Sequence, residues 1–159
     1  MPPATTDVTL TEVDPSTPEA AALIAALDRD LNARYPGMEI HGIEAANFRA
    51  TGGVFLIGRV ENIAVACGAL RPMDEDGVVE VKRMYVSDEY RGRGFGRAVL
   101  MALEEIAARR GYRIIRLETG GSQPEAISLY ESAGYCPIPC YSVHAPDPLS
   151  RCFEKRLAS

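Results

Sequence analysis

Two hydrophobic periods alternate along this chain, and the switches between them mark out its elements. DVTLTEV, residues 7–13, alternates apolar and polar positions and predicts a first strand. In DPSTPEAAALIAALDRDLNARYPG, Leu23, Ala26, Leu27 and Leu31 recur on one helical face. Ser16 or Thr17 can cap that helix, Pro18 suits its first turn, and Pro36-Gly37 ends it. Residues 38–50 carry a weaker pattern, with a second short helix near residues 44–49. Three β runs then follow in close succession: residues 54–60, residues 63–70 after a tight Glu61-Asn62 turn, and residues 78–86 after the turn at Asp74 to Gly77. Such spacing predicts an antiparallel meander.

After Val86 the rhythm becomes strand, glycine-rich loop, helix. The helix covers about residues 94–110, with Val99, Leu103 and Ile106 on an apolar stripe and Glu105 and Arg109 paired on the wet side. Gly111 ends it, and a strand follows over residues 112–118. A strand–helix–strand unit of this length favours a parallel, right-handed crossover. A further helix is predicted over residues 124–133, closed by Gly134, then strands over residues 135–141 and 151–157. The order βααβββαβαββ describes an α/β mixed sheet covered by helices. Residues 7–159 form one expected domain behind a loose tail at 1–6.

Composition narrows the function. With 159 residues there is enough chain for one full core. A net charge of -5 argues against non-specific nucleic-acid binding, which needs a cationic face, and suits a cationic substrate such as an amine. Cys67, Cys136, Cys140 and Cys152 include no CxxC pair, and His41 and His144 are far apart, so no metal site is expected. Free thiols in a reducing cytoplasm are the expected state. No apolar run approaches the roughly 20 residues needed to span a bilayer. The start, MPPATTDVTL, lacks the charged and apolar regions of a signal peptide. A cytoplasmic, non-membrane protein follows as the expectation, with a homodimer left open.

The chemistry concentrates in EYRGRGFGRAVL, residues 89–100. Gly92, Gly94 and Gly96 remove side chains where successive backbone N–H groups can converge on an anion, and the helix beginning there adds its positive end. Arg91, Arg93 and Arg97 add charge for more peripheral phosphate. A P-loop would need Gly-Lys followed by Ser or Thr, which is missing here, and the dinucleotide fingerprint fails because position 97 is Arg.

Arg91-Gly92-Arg93-Gly94-Phe95-Gly96 resembles Arg/Gln-x-x-Gly-x-Gly/Ala, the acetyl-coenzyme A pyrophosphate motif of the GNAT superfamily of N-acetyltransferases. EVKRMYVSDEY resembles the family's central strand, and AISLYESAGY its A-x-x-L-Y-x-x-x-G-F/Y helix ending. The resemblance implies that acetyl-coenzyme A lies between two splayed parallel strands, the one ending at Val86 and the one over residues 112–118. Met84, Tyr85 and Val86 would bind its arm, with Phe95 in the loop motif, and the N–H near Val86 would stabilise the oxyanion of a tetrahedral intermediate.

Glu80 stands eleven residues before Arg91, where the histone-acetylating branch of the family holds a catalytic glutamate. Regular alternation would give it the same strand face as Lys82, Met84 and Val86. A carboxylate there could be the base that takes the amine's proton, or the ion-pair partner of a basic residue; both readings stand. Tyr130 matches the family's Leu-Tyr position, which implies the acid that protonates the leaving thiolate as well as a cofactor contact. Where the family often has an asparagine whose amide touches the cofactor arm, this chain has Gln123. Tyr35, Glu118 and Tyr141, with His41 and His144, are candidates for the acceptor site. The resemblance thus implies an N-acetyltransferase acting on a small-molecule amine. Protein or peptide acetylation and a non-catalytic acyl-coenzyme A sensor are the alternatives.

Overall fold

The structure, a computed structural model, describes residues 8–36, 48, 51–121, 123–141 and 150–157. The expected tail at 1–6, His41, His144 and all but Phe48 of the expected second helix lie outside these residues. The described elements are β1 (Thr9–Glu12), α1 (Pro18–Arg34), β2 (Val54–Val60), β3 (Ile63–Pro72), β4 (Val78–Val86), a 3-10 turn (Asp88–Tyr90), α2 (Phe95–Arg109), β5 (Ile114–Gly120), α3 (Pro124–Ser132), β6 (Cys136–Ile138) and β7 (Ser150–Arg156). They form one mixed sheet in the order β1-β2-β3-β4-β5-β7-β6. β2, β3 and β4 are the antiparallel meander, β1 adds antiparallel to β2, β4 and β5 pair in parallel through the α2 crossover, and β7 returns antiparallel between β5 and β6.

Local chemistry sets the boundaries. Thr17 caps α1 by accepting from the Ala20 N–H at 3.4 Å, and Pro18 occupies the first turn. α2 and α3 both end in the two-bond motif that satisfies terminal carbonyls. Gly111 and Tyr112 donate to Ala108 and Ala107, and Gly134 and Tyr135 donate to Glu131 and Tyr130. Tyr112 and Tyr135 are therefore spent on closing helices, which is why β5 and β6 begin later than the residue pattern suggested. β6 stops at Ile138 because Pro139 has no N–H to offer a ladder.

The sheet is buried on both faces. Leu56, Leu70, Val79, Val81, Ile115, Leu117 and Phe153 pack with Phe95, Val99, Leu100 and Leu103 of α2 and Tyr130 of α3. Phe55, Ile57, Cys67 and Ala69 pack on the opposite face with Ala20 and Leu23 of α1. β2 consequently reads as a nearly continuous apolar run rather than an alternation.

One irregularity organises the middle of the sheet. Cys67 pairs with Tyr85 and Ala69 with Lys82, so three residue steps on β4 face two on β3. This is a β-bulge, and Arg83 sits in it at φ 58. The bulge shifts the alternation by one, so Met84 and Val86 join Val79 and Val81 on the α2 face, whereas Tyr85 packs on the α1 side. The expectation that Glu80, Lys82, Met84 and Val86 share a face is therefore wrong. Arg83 is held by its guanidinium on Asp28 of α1 at 2.6 Å, and its carbonyl accepts from the Cys67 thiol at 3.2 Å. Burial pushes that thiol up to about 12, so it stays protonated and able to donate. Opposite the bulge, a Cβ on Gly68 would lie 2.7 Å from Met84 Sδ and 2.7 Å from Val99 Cγ1. Gly68→Ala should therefore destabilise the fold by about 1–3 kcal/mol through overpacking. Urea denaturation of the variant checks this, and an unchanged midpoint would refute it.

Candidate active site

Strands β4 and β5 pair only from Val78↔Ile114 to Val81↔Leu117. β4 continues to Val86 and β5 to Gly120, so beyond these pairs the two parallel strands part and leave facing edges without partners in each other. The expected splay is present, and it opens just before the bulge. Buried backbone groups demand partners, so such a gap suits a ligand that supplies its own amide-like groups.

At the mouth of the gap lies the glycine-rich loop. Gly92 and Gly94 have φ 77 and 84, conformations that other residues rarely adopt, and nothing lies within 4 Å of a Cβ built on either. Gly94 is the N-cap of α2 and gives it no side-chain cap. The first amides of this helix thus have no side-chain cap, and an uncapped helix start beside such glycines is an arrangement that can bind phosphate. Gly96 lies deeper, where a Cβ would stand 3.4 Å from Leu129 and 3.6 Å from Val86. The Phe95 ring is buried in the core, so this residue can offer a ligand only its backbone. The three arginines divide their work. Arg91 ties the loop to β4: its Nε donates to the Val86 carbonyl at 2.9 Å, it pairs with Asp88 at 2.9 Å, and it lies over the Tyr85 ring. Arg93 lies over the Tyr90 ring, and Arg97 donates to the Ser132 hydroxyl of α3.

α3, which carries Tyr130, meets this loop through Leu129, which packs against Gly96. Tyr130 is buried against Tyr135 (centroids 5.9 Å apart) and Phe153 (6.3 Å), and burial pushes its phenol well above the ordinary value. Gln123 precedes α3. Its Oε1 accepts from the Gly120 N–H (3.2 Å), the Thr119 hydroxyl (3.3 Å) and the Tyr35 hydroxyl (3.3 Å). A backbone N–H can only donate, which fixes the amide orientation and leaves Nε2 as the donor for a ligand. Tyr35 is buried, and it fits only because residue 120 is glycine: a Cβ there would lie 1.6 Å from its hydroxyl. Arg34 pairs with Glu125 at 2.5 Å, so the end of α1 is locked to the start of α3.

On the α1 side of the sheet, Glu80 lies next to the opening. Its side chain is only 12% exposed; Oε2 accepts from the Tyr141 hydroxyl at 2.8 Å, and Lys82 Nζ stands 3.7 Å from Oε1. Its register partners are Arg71 on β3 and Arg116 on β5, and Arg116 is itself held by Glu75 and Glu154, each at 3.0 Å. Tyr141 follows Cys140, which is bonded to Cys152 of β7 with Cα atoms 5.1 Å apart. The expectation of four free thiols is thus overturned for this pair; only Cys67 and Cys136 are free. β6 pairs with β7 through Ile138↔Cys152, and the chain beyond β6 leaves that register, which would set Cys140 opposite Ser150, and comes back to Cys152. Exposed Glu118 has a carboxylate oxygen within 4.8 Å of both sulfurs, but sulfurs bonded to each other offer a cation no thiolate. Among the predicted site residues, Glu80, Glu118 and Tyr141 therefore cluster on one side, while Tyr35 and Gln123 meet on the β5–α3 loop.

The sequence model of the acetyltransferase (GNAT) family matches residues 21–135. An IAA acetyltransferase of Azospirillum brasilense is 34% identical over 151 residues, which cover 95% of this chain and 99% of that protein. A solved structure of a candidate acyl-CoA N-acyltransferase from Klebsiella pneumoniae superposes with a TM-score of 0.80 at 35% identity, covering 96% of this chain and 99% of that one. A GNAT family acetyltransferase from Elizabethkingia anophelis, solved with acetyl-CoA bound, shares the fold at a TM-score of 0.68 and 18% identity, over 94% of this chain and 98% of that one.

Burial also raises the phenols of Tyr135 and Tyr141, in each case reinforced by a neighbouring carboxylate, Glu104 and Glu80 respectively. An acid whose folded value is raised stabilises the fold below its unfolded value, about 10, and that contribution is lost as pH climbs toward the folded value. Absorbance titration should therefore find Tyr130, Tyr135 and Tyr141 protonated until alkaline unfolding. Reversible ionisation of all seven tyrosines in the folded protein near pH 10–11 would contradict this.

Proposed function

The chain belongs to the acetyltransferase (GNAT) family, and on that premise we propose that it moves an acetyl group from acetyl-coenzyme A to the primary amine of a small molecule. The observation that carries this reading is the parting of β4 and β5 beside an α2 N-terminus with no side-chain cap. Acetyl-coenzyme A, when bound, supplies an acetyl group activated as a thioester. The amides after Gly92 and Gly94 suit its pyrophosphate, with Arg93 and Arg97 adding charge and Arg91 keeping the loop in place. The β4 edge from Met84 through Tyr85 to Val86 offers backbone hydrogen bonds to the amides of the arm, and Gln123 Nε2 offers one more. An N–H near Val86 is the donor for charge developing on the carbonyl oxygen.

Glu80 takes a proton from the incoming ammonium, directly or through one water. A carboxylate and an alkylammonium differ by about six units in ordinary pKa, so the relay serves a proton leaving as the new bond forms. Tyr130, held neutral by its burial, gives its proton to the departing sulfur. A thiolate in the same dry surroundings is also raised in basicity, which keeps that transfer favourable. Glu80's low exposure beneath Tyr141 favours a small amine over a protein segment, and the similarity to an IAA acetyltransferase points the same way.

Thiol release from acetyl-coenzyme A against a panel of primary amines and N-terminal peptides tests the reading. Turnover with a small amine is expected. Turnover with peptides alone would favour protein acetylation, and tight cofactor binding with no turnover would favour a sensor. Gly94→Val should abolish acetyl-coenzyme A binding in calorimetry, because valine cannot hold φ 84 and would fill the cradle; unaltered affinity would remove the cradle. Tyr130→Phe should lower kcat by about 10²-fold or more with little change in cofactor affinity. Full turnover would return Tyr130 to a packing role.

A further inference from the structure

Tyr141 sits where no regular structure holds it. β6 ends at Ile138, Pro139 has no N–H, and among the described residues no backbone hydrogen bond ties residues 139–141 to the rest of the fold. Among the described residues, two contacts fix it instead. One is covalent, the bond from Cys140 to Cys152 on β7; the other is the Tyr141 hydroxyl donating to Glu80 Oε2 at 2.8 Å. Cys152 is itself buried and in register with Glu118 of β5, so the bridge is anchored to a strand paired on both sides. The bridge and the hydroxyl together bring Tyr141 onto one oxygen of one carboxylate.

The charged groups around that carboxylate explain why it needs such a partner. Lys82 on the same strand stands 3.7 Å from Oε1, Arg71 and Arg116 are the register partners on either side, and Arg116 is already engaged by Glu75 and Glu154. Without the phenol, the nearest strong partner of Glu80 is Lys82, and pairing with it would draw the carboxylate along β4. Tyr141 opposes that pull with a donor that burial and the Glu80 and Glu118 charges keep protonated.

We propose that Tyr141 is a positioning residue for Glu80 and that the Cys140–Cys152 bridge is what holds Tyr141 in place. The proposal rests on the reading of Glu80 as proton acceptor, so its test must separate the two. Four variants of the full chain serve: Glu80→Gln, Tyr141→Phe, Cys140→Ser and the double variant Glu80→Gln/Tyr141→Phe. The readouts are kcat, KM for acetyl-coenzyme A and thermal midpoint. The acceptor is the fastest amine of the panel, or water alone, followed as thiol release, where no amine reacts.

Tyr141→Phe and Cys140→Ser should each lower kcat about ten- to a hundredfold while KM for acetyl-coenzyme A stays within about twofold. The double variant should be no slower than Glu80→Gln, because a residue acting only through Glu80 has nothing left to position. A merely structural tyrosine would instead slow both backgrounds by the same factor, and that result overturns the proposal. Wild-type kcat in Tyr141→Phe alongside a slow Glu80→Gln overturns the positioning role while leaving Glu80 as base. Wild-type kcat in Cys140→Ser overturns the part assigned to the bridge. Wild-type kcat in Glu80→Gln removes the base itself, and this proposal with it.

Discussion

The geometry of this protein depends on a bulge in its central strand, where Arg83 takes a left-handed conformation that a β-strand does not ordinarily contain. Such a conformation persists only where its surroundings over-determine it. Here Asp28 holds the guanidinium, whose side chain is only 3% exposed, and the Cys67 thiol holds the carbonyl. An uncompensated charge at that depth would be costly, so the Asp28 pair is tied to the bulge itself. Two consequences follow in the chain's own geometry. β4 turns away from β5 after Val81, and its side-chain alternation changes phase.

That change of phase divides the labour of the strand. Before the bulge, Glu80 and Lys82 lie on the α1 side among polar groups; after it, Met84 and Val86 are fastened into the core under α2. The last stretch of β4 is thus held from below by packing and from its end by Arg91, whose guanidinium takes the Val86 carbonyl. Its other edge is left facing the gap. A second brace closes the far wall: Tyr35 fills the place that Gly120 leaves empty and reaches Gln123. The accompanying Arg34–Glu125 pair is half-exposed on its acidic side and adds little by itself. Burial of the Tyr35 ring stabilises this wall more than the ion pair does.

How far the residues foretold this varies with the range of the interaction. The meander, the α2 crossover and the glycine loop rest on local signals: Glu61-Asn62 as a turn with both residues at positive φ, Gly94 at a helix start, an apolar stripe through Val99 and Leu103. The later starts of β5 and β6 depend on how Tyr112 and Tyr135 close the preceding helices, a bond pattern that Gly111 and Gly134 do announce. The bulge has no such herald, since nothing in an arginine between lysine and methionine signals left-handed backbone. Plain alternation therefore puts Met84 and Val86 on the wrong face. Cys140 and Cys152 lie 12 residues apart, and only the folded path of the chain after β6 shows that they meet. Glu80 and Tyr141, 61 residues apart, carry separate signals in the sequence; their contact is a product of tertiary structure, the Cys140–Cys152 bridge included.

On the proposed function, the cofactor's arm lies along the edges of β4 and β5 that do not pair with each other. Amide hydrogen exchange of the full chain, with and without coenzyme A, addresses it directly. Exchange at residues 82–86 and 118–120, together with the amides after Gly92 and Gly94, should slow on addition of coenzyme A, while residues 78–81, already paired with β5, should change little. Slowing confined to other parts of the sheet, with residues 82–86 exchanging at the same rate in both states, would contradict it.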